Sequence, residues 1–404
     1  MTTGTRTGDA ARLVRDAIDE RTTANARFFA DEADRIARLC HRMAERFARD
    51  GRLVAIGDSA AARSDVRHVA VEFVHPVIVG KRALPAIGLS REGGALGLQV
   101  DLVAEPGDIL IAFGDGVAPV VAAARARGLL TIAFDAGVGA EFEFVPPSAD
   151  EFVRQELVET LYHVLWELVH VFFDHRGLLE GRDARRTHDS GASSFLYPFL
   201  GEQETDLESV VGDVRASVRM KSEEIGELRA QTVGDGADTL AAAAADQRAR
   251  LDAGGKLLAL GNGGSATDAM DAVADFRSPP SSAGWPARRA IDLTEDTAIL
   301  TAIANDIGTD AIFSRQIIAY GKPDDALLAL STSGNSLNVI AALAEARSRG
   351  LLTIAMVGYD GGRVAAEGLA DHVVVTRSEH IPRIQEAQAA AYHVLRELVE
   401  VAAP

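Results

Sequence analysis

The chain has 404 residues, 47% hydrophobic and 5% aromatic, and carries a formal charge of −18 from 41 basic and 59 acidic side chains. That length suits two domains of about 150 to 200 residues, the composition excludes wholesale disorder, and the negative charge without a long Lys/Arg cluster argues against nucleic acid as a ligand. A lone cysteine, Cys40, excludes an intramolecular disulfide and a cysteine metal cage, and the absence of a signal-like N-terminus or an uncharged 18-residue apolar run points to a cytoplasmic protein that does not engage a membrane.

In chain order, residues 9 to 50 predict a helix, because Leu13, Ala17, Ile18, Phe28, Phe29, Ile36 and Leu39 recur at three- and four-residue spacing. RLVAIG (52–57) predicts a buried strand, followed by a helix to Val74 and then the strands LPAIGL (84–89) and DILIAF (108–113). A helix to Arg127, the strand LLTIAF (129–134) and a long helix over 151–174 complete the first half. Strands alternating with helices predict a parallel sheet.

The second half repeats this order. KLLALG (256–261) matches RLVAIG, DALLAL (325–330) matches DILIAF, and ARSRGLLTIAM (346–356) matches ARARGLLTIAF (124–134). Tyr392-His393-Val394-Leu395 repeats Tyr162-His163-Val164-Leu165. The offset between copies is 204 at Gly57/Gly261 and 230 at His163/His393, so the first copy is shorter by about a loop and a helix. The expected organisation is a first domain over 1–174, a linker over 175–205 rich in charge, Gly and Ser, and a second domain over 206–404. Within the linker, the apolar patch at 195–200 is expected to dock on a domain, since it would otherwise invite aggregation.

Two strand-to-helix turns in the second half carry chemistry. Gly261-Asn262-Gly263-Gly264-Ser265 lets the backbone approach an anion at a helix N-terminus, although such a turn alone also serves as a plain tight turn. The second turn, Ser331-Thr332-Ser333-Gly334-Asn335-Ser336, places four hydroxyls within six residues. An ordinary helix cap needs only one, whereas four hydroxyls with backbone N–H groups can saturate a phosphate without a cation.

GNGGSATDAM, TAIANDIG, IFSRQ, LLALSTSGNSLNVI and RIQEAQAAAYHVL, in that order, resemble the sugar isomerase (SIS) domain family, and within it the sedoheptulose-7-phosphate isomerases. The resemblance covers roughly residues 205–402. It implies two flavodoxin-like SIS domains in tandem, each a parallel sheet flanked by helices, and a zinc-dependent ketose–aldose isomerase acting on a sugar phosphate, with sedoheptulose 7-phosphate as the nearest expectation. It also implies substrate contacts at Asn262, Gly263, Gly264, Ser265, Asn305, Asp306, Ser331, Thr332, Ser333, Ser336 and Gln385. The family's tetramer, with the tandem repeat, implies a homodimer of two-domain chains.

The family's metal and acid/base positions are a His and a Glu four residues apart, and a Gln and a His eight apart. In the second half these fall on Asp271, Asp275, Gln385 and His393; exchange of imidazole and Glu for Asp changes ligand charge, softness and reach. Aligning ARSDVRHVAVEFVHP with ATDAMDAVADFRSP places the first half's His68, Glu72, Gln155 and His163 at the same four positions. His68 and Glu72, at i and i+4, share a helix face as two ligands of one zinc ion would. Taken singly, each of the four also reads as an ordinary helix polar group or a satisfied core histidine. The first half has lost the phosphate turns, which read GDSAA and FGDGVAP there. One functional site built from complementary parts of the two halves is therefore expected, with Glu72 as base and His163 as acid. The alternative is a non-catalytic sugar-phosphate-binding regulator or scaffold.

Overall fold

The structure, a computed structural model, describes residues 3–77, 81–174, 179 and 206–401. Most of the 175–205 linker, including the apolar patch at 195–200, lies outside the described residues. By contacts, the chain divides into two compact units. One comprises Ala24–Ala149 and Leu157–Glu224; the other comprises Met1–Thr23, Asp150–Glu156 and Ile225–Pro404.

The first of these units is built on β1 (Leu53–Gly57), β2 (Ala86–Ser90), β3 (Ile109–Phe113), β4 (Leu130–Ala133) and the short β5 (Phe142–Glu143). All pairings are parallel, in the order β2-β1-β3-β4-β5. The other unit has β6 (Leu257–Leu260), β7 (Ala290–Asp292), β8 (Ala326–Ser331), β9 (Leu352–Gly358) and β10 (His372–Thr376), in the order β10-β9-β8-β6-β7. Read from β7, this is the same doubly wound order, so the repeat in sequence is a repeat in topology.

The apolar runs predicted as strands are buried on both faces, except the edge strand β2, which is only half-buried. Leu257, Ala259, Leu328 and Leu330 pack into one cluster, and the alternating Leu258, Leu260, Leu327 and Ala329 into another. Helices covering both faces leave no polar alternation along such strands, which is why they read as continuous apolar stretches. Charged residues at strand starts close the bottom of each sheet in the same way. Asp108 accepts hydrogen bonds from the Arg52 and Glu105 amides, and Asp325 accepts them from the Lys256 and Lys322 amides.

The helices follow the periodicity. They include α1 (Thr3–Ala48), which starts earlier than residue 9, α2 (Ala60–Val74), α3 (Leu96–Val103), α4 (Ala118–Ala126) and α5 (Glu151–Asp174), the last as predicted. Next come α6 (Leu207–Asp235), α7 (Ala237–Asp252), α8 (Gly264–Arg277), α9 (Thr297–Asp306) and α10 (Ser314–Tyr320). The chain continues through α11 (Leu337–Ser348), α12 (Gly362–Ala366) and α13 (Ile381–Val401). The growing offset between the copies has a concrete source: α3 alone joins β2 to β3, whereas both α9 and α10 join β7 to β8. Among the described residues, no helix is long and apolar enough to cross a membrane.

Candidate active site

In the β6–β10 unit the strand order reverses between β6 and β8, and the two turns singled out in sequence follow those two adjacent strands. The carboxyl ends of strands at such a switch point form the usual ligand crevice of an open α/β sheet. A Cβ on Gly261 would run into the Ser265 carbonyl oxygen, and Gly263 adopts a left-handed φ of 58°, so both glycines are required by the turn that starts α8. Asn262 and Asn338, at the start of α11, exchange two amide hydrogen bonds of 3.0 and 2.9 Å, tying the two turns together.

The Ser331–Ser336 loop is held by its own polar groups. Ser331 Oγ accepts from the Gly334 amide, Ser333 Oγ accepts from the Asn335 amide, and the Asn335 side chain donates to the Ser333 carbonyl. Ser336 is the residue that precedes α11, yet its hydroxyl makes no capping hydrogen bond to that helix. Asp296, by contrast, accepts from both the Ala298 and Ile299 amides at the start of α9. An uncapped N-terminus beside three further hydroxyls is a ready anion cradle. Asn305 and Asp306 sit exposed at the end of α9 and bond to each other, and Gln385 is buried on α13, where its Oε1 has no hydrogen-bond partner among the described residues.

Beneath these turns Asp271 and Asp275 on α8 meet His393 on α13. His393 Nε2 is 3.3 Å from Asp271 Oδ2 and 3.5 Å from Asp275 Oδ2, while Nδ1 is 2.9 Å from Glu156 Oε1. Tyr392 donates to Asp271, Arg21 donates to Glu156, and the Phe152 ring stacks on the imidazole at 4.4 Å. All of these charged groups are buried. Burial would push the imidazole pKa down, but the hydrogen bonds to Asp271 and Glu156 and the charge of Asp275 overrule it and raise the pKa to about 10. Burial, followed by the neighbouring Asp271, pushes Asp275 up. Burial also opposes ionisation of Glu156, but Arg21 and His393 bring it down to about 2.

The cluster is therefore an imidazolium held between carboxylates. A group whose folded pKa lies above its ordinary 6.5 stabilises the fold fully below that value and loses the contribution as pH rises towards about 10. Glu156 behaves oppositely, contributing above its ordinary 4.5 and losing the contribution as pH falls towards about 2. The β6–β10 unit is expected to weaken steadily between pH 6.5 and 10, the raised carboxyl of Asp275 adding to the loss as pH climbs above its ordinary 3.8. Urea unfolding followed by Trp285 fluorescence, in a Trp166→Phe background, measures this; a stability that holds level across that window would contradict it.

In the β1–β5 unit the aligned positions look different. His68 and Glu72 on α2 and His163 on α5 are buried together, with His68 Nε2 3.2 Å from His163 Nε2 and 3.9 Å from Glu72 Oε1. Tyr162 OH lies 3.0 Å from His68 Nδ1. Burial, then the neighbouring His163, holds the His68 pKa well below its usual value, so the imidazole is neutral. Two imidazoles and a carboxylate with ligand atoms all within 4.8 Å of one another fit one zinc ion, and a hydroxyl on the far nitrogen of His68 orients the ring as zinc ligands require. Asp271, Asp275 and His393 meet the same distance criterion, but there a metal would have to displace a proton held about three units above neutrality, at roughly 4 kcal/mol. The donor set and protonation of the β1–β5 unit thus suit zinc better. Gln155, aligned with Gln385, belongs to the residues of the β6–β10 unit.

The switch point of the β1–β5 unit carries a carboxylate instead of a phosphate cradle. Asp58 follows β1 at the position of Asn262, and its oxygens lie so close to Gly114 and Gly116, after β3, that a Cβ at either glycine would collide with them. Arg91 pairs with Asp58 at 3.7 Å.

Glu156, Tyr162 and Tyr392 were not singled out from the sequence. The tyrosines had a signal, since each precedes its histidine in the repeated Tyr-His-Val-Leu, and their hydroxyls meet the aligned residues His68 and Asp271. Glu156 had none beyond its place beside Gln155.

Residues 222–358 match the family described as "SIS domain". The phosphoheptose isomerase of Chlorobium phaeobacteroides is 49% identical over 152 residues, which is 37% of this chain and 66% of that protein. The phosphoheptose isomerase of Rhodospirillum rubrum is 43% identical over 168 residues, 42% of this chain and 88% of that protein. In three dimensions the C-terminal domain of glucosamine-fructose-6-phosphate aminotransferase from Francisella tularensis superposes with a TM-score of 0.58, covering 96% of both chains at 10% identity, a likeness of fold. The repeated topology, the hydroxyl-rich loop and this close identity over most of a relative's length place the chain in one family: it belongs to the phosphoheptose isomerases of the SIS-domain group.

Proposed function

We propose that the protein is a sugar-phosphate isomerase that interconverts D-sedoheptulose 7-phosphate and D-glycero-D-manno-heptose 7-phosphate. The observation that carries this reading is the Ser331–Ser336 loop at the switch point, with four hydroxyls and a helix N-terminus that Ser336 leaves uncapped. The relatives' name supplies the heptose. Phosphate binds to the loop, and the sugar extends to Asn262 and Gln385.

Isomerisation moves a proton between C1 and C2 through an enediol. The Glu72 carboxylate takes the proton from C1 of the ketose and returns it to C2, while His163 exchanges protons with the substrate oxygens. Zinc, which His68, Glu72 and His163 would hold, polarises a substrate oxygen when bound. The phosphate loop belongs to one unit and the Glu72–His163 pair to the other.

Incubating the purified chain with D-sedoheptulose 7-phosphate and following the aldose anomeric protons by NMR tests the proposal. Ser336→Ala is expected to raise KM about tenfold or more, as loss of one charge-assisted hydrogen bond should, with a smaller change in kcat. Thermal stabilisation by the sugar phosphate without any turnover would instead favour a binding regulator.

A further inference from the structure

On the far side of β8 from the GNGGS turn lies a second cleft, of about 620 Å³, a size that accommodates a small ligand. Its floor is the outer side of the phosphate loop, Ser333 and Asn335; its walls are Tyr359 and Asp360 after β9, and Arg377 and Glu379 after β10. Since β9 and β10 flank β8 opposite to β6 and β7, these residues approach the loop from the side away from Asn262 and Asn305.

The walls are built to hold their shape. The Asn335 side chain donates to Ser333 O and accepts from the Arg363 amide, and the Val364 amide donates to Gly334 O. Gly334 and Gly362, both at left-handed φ, touch backbone to backbone so closely that a Cβ on either would collide. Tyr359 adopts φ 54°, a conformation that costs a non-glycine residue and clusters at ligand sites. Arg377 is exposed and forms no ion pair among the described residues, although Asp360 and Glu379 line the same cleft.

We propose that this cleft is a second binding site, separate from the switch point, for a phosphorylated sugar. One guanidinium matches one phosphate. The two carboxylates, together with Ser378, match the hydroxyls of a polyol, and Tyr359 adds an aromatic side chain for a sugar's C–H groups. The inference does not depend on the turnover proposed above, because it concerns binding alone and its charged groups, Arg377, Asp360 and Glu379, lie outside the phosphate loop, which shares only Ser333 and Asn335 with it.

Isothermal titration calorimetry of the full chain with D-glucose 6-phosphate, and with D-glucose as the uncharged control, tests it. Two binding events per chain are expected for the phosphate and none of comparable affinity for glucose. Arg377→Gln, an exposed substitution, should weaken one event by ten- to a hundredfold and spare the other, which Ser336→Ala should weaken instead. Should only the Arg377-sensitive event be found, the second cleft stands and the phosphate-loop assignment falls. The proposal is overturned if Arg377→Gln leaves all binding unchanged, or if it weakens the same event as Ser336→Ala.

Discussion

Replacing Glu72 with Gln is expected to lower turnover of D-sedoheptulose 7-phosphate by about 10²- to 10⁴-fold, the usual contribution of a positioned general base. Gln keeps the volume and hydrogen-bonding shape of a side chain that is 2% exposed on α2, so the fold should persist. What it removes is the negative charge that takes up the proton, together with one of the three groups that fit zinc. Three measurements separate these roles from a general loss of structure. kcat should fall, stabilisation by the sugar phosphate should remain because the phosphate loop is untouched, and zinc content by mass spectrometry should drop. Full turnover in Glu72→Gln would rule out the β1–β5 unit as the source of the base.

The second large effect is expected at His393. Substituting Leu removes the imidazolium and leaves Asp271, Asp275 and Glu156 facing a buried space without it. Breaking a buried pair by deleting one partner costs about 3 to 5 kcal/mol, because the remaining charge stays desolvated. Chemical denaturation at pH 7 should show a loss of that order for His393→Leu. Adding Asp271→Asn to the same chain should recover part of it by neutralising one stranded carboxylate, a coupling that a double-mutant cycle reads directly. A loss below about 1 kcal/mol would mean that the cluster is held mainly by packing, such as the Phe152 stack, and not by charge.

These two predictions assign different work to aligned positions. In the β1–β5 unit a neutral His68 faces His163 across 3.2 Å; in the β6–β10 unit Asp271 faces a charged His393 across 3.3 Å. The topology is shared, and the exchange of His68 and Glu72 for Asp271 and Asp275 turns a set of metal-type donors into an internal ion pair. The turns above have diverged in the opposite sense, with Asp58 at one switch point and a hydroxyl-rich loop at the other.

Much of the architecture was legible in sequence because it depends on local pattern. Short apolar runs such as Leu257–Leu260 bounded by turn residues read as strands covered on both sides, the three- and four-residue spacing of α5 reads as a helix, although the folded chain buries it all round from Glu156 to Phe173, and repetition of both implied two sheets of the same order. The i, i+4 pairing of His68 with Glu72 was readable for the same reason, since helix geometry alone sets it.

Tertiary structure decided what lies between segments distant in the chain. Glu156 and His393 are 237 residues apart, and nothing in either neighbourhood signals that they pair. Nor does sequence distinguish a serine that caps its own helix from Ser336, which does not, because that choice depends on a rotamer set by surrounding packing. The cleft beside Arg377 is lined by residues from three separate strand ends that lie next to one another only in the folded sheet. Local periodicity is encoded residue by residue, whereas the charge state and partners of a buried group follow from everything that surrounds it, and only the folded chain brings those surroundings together.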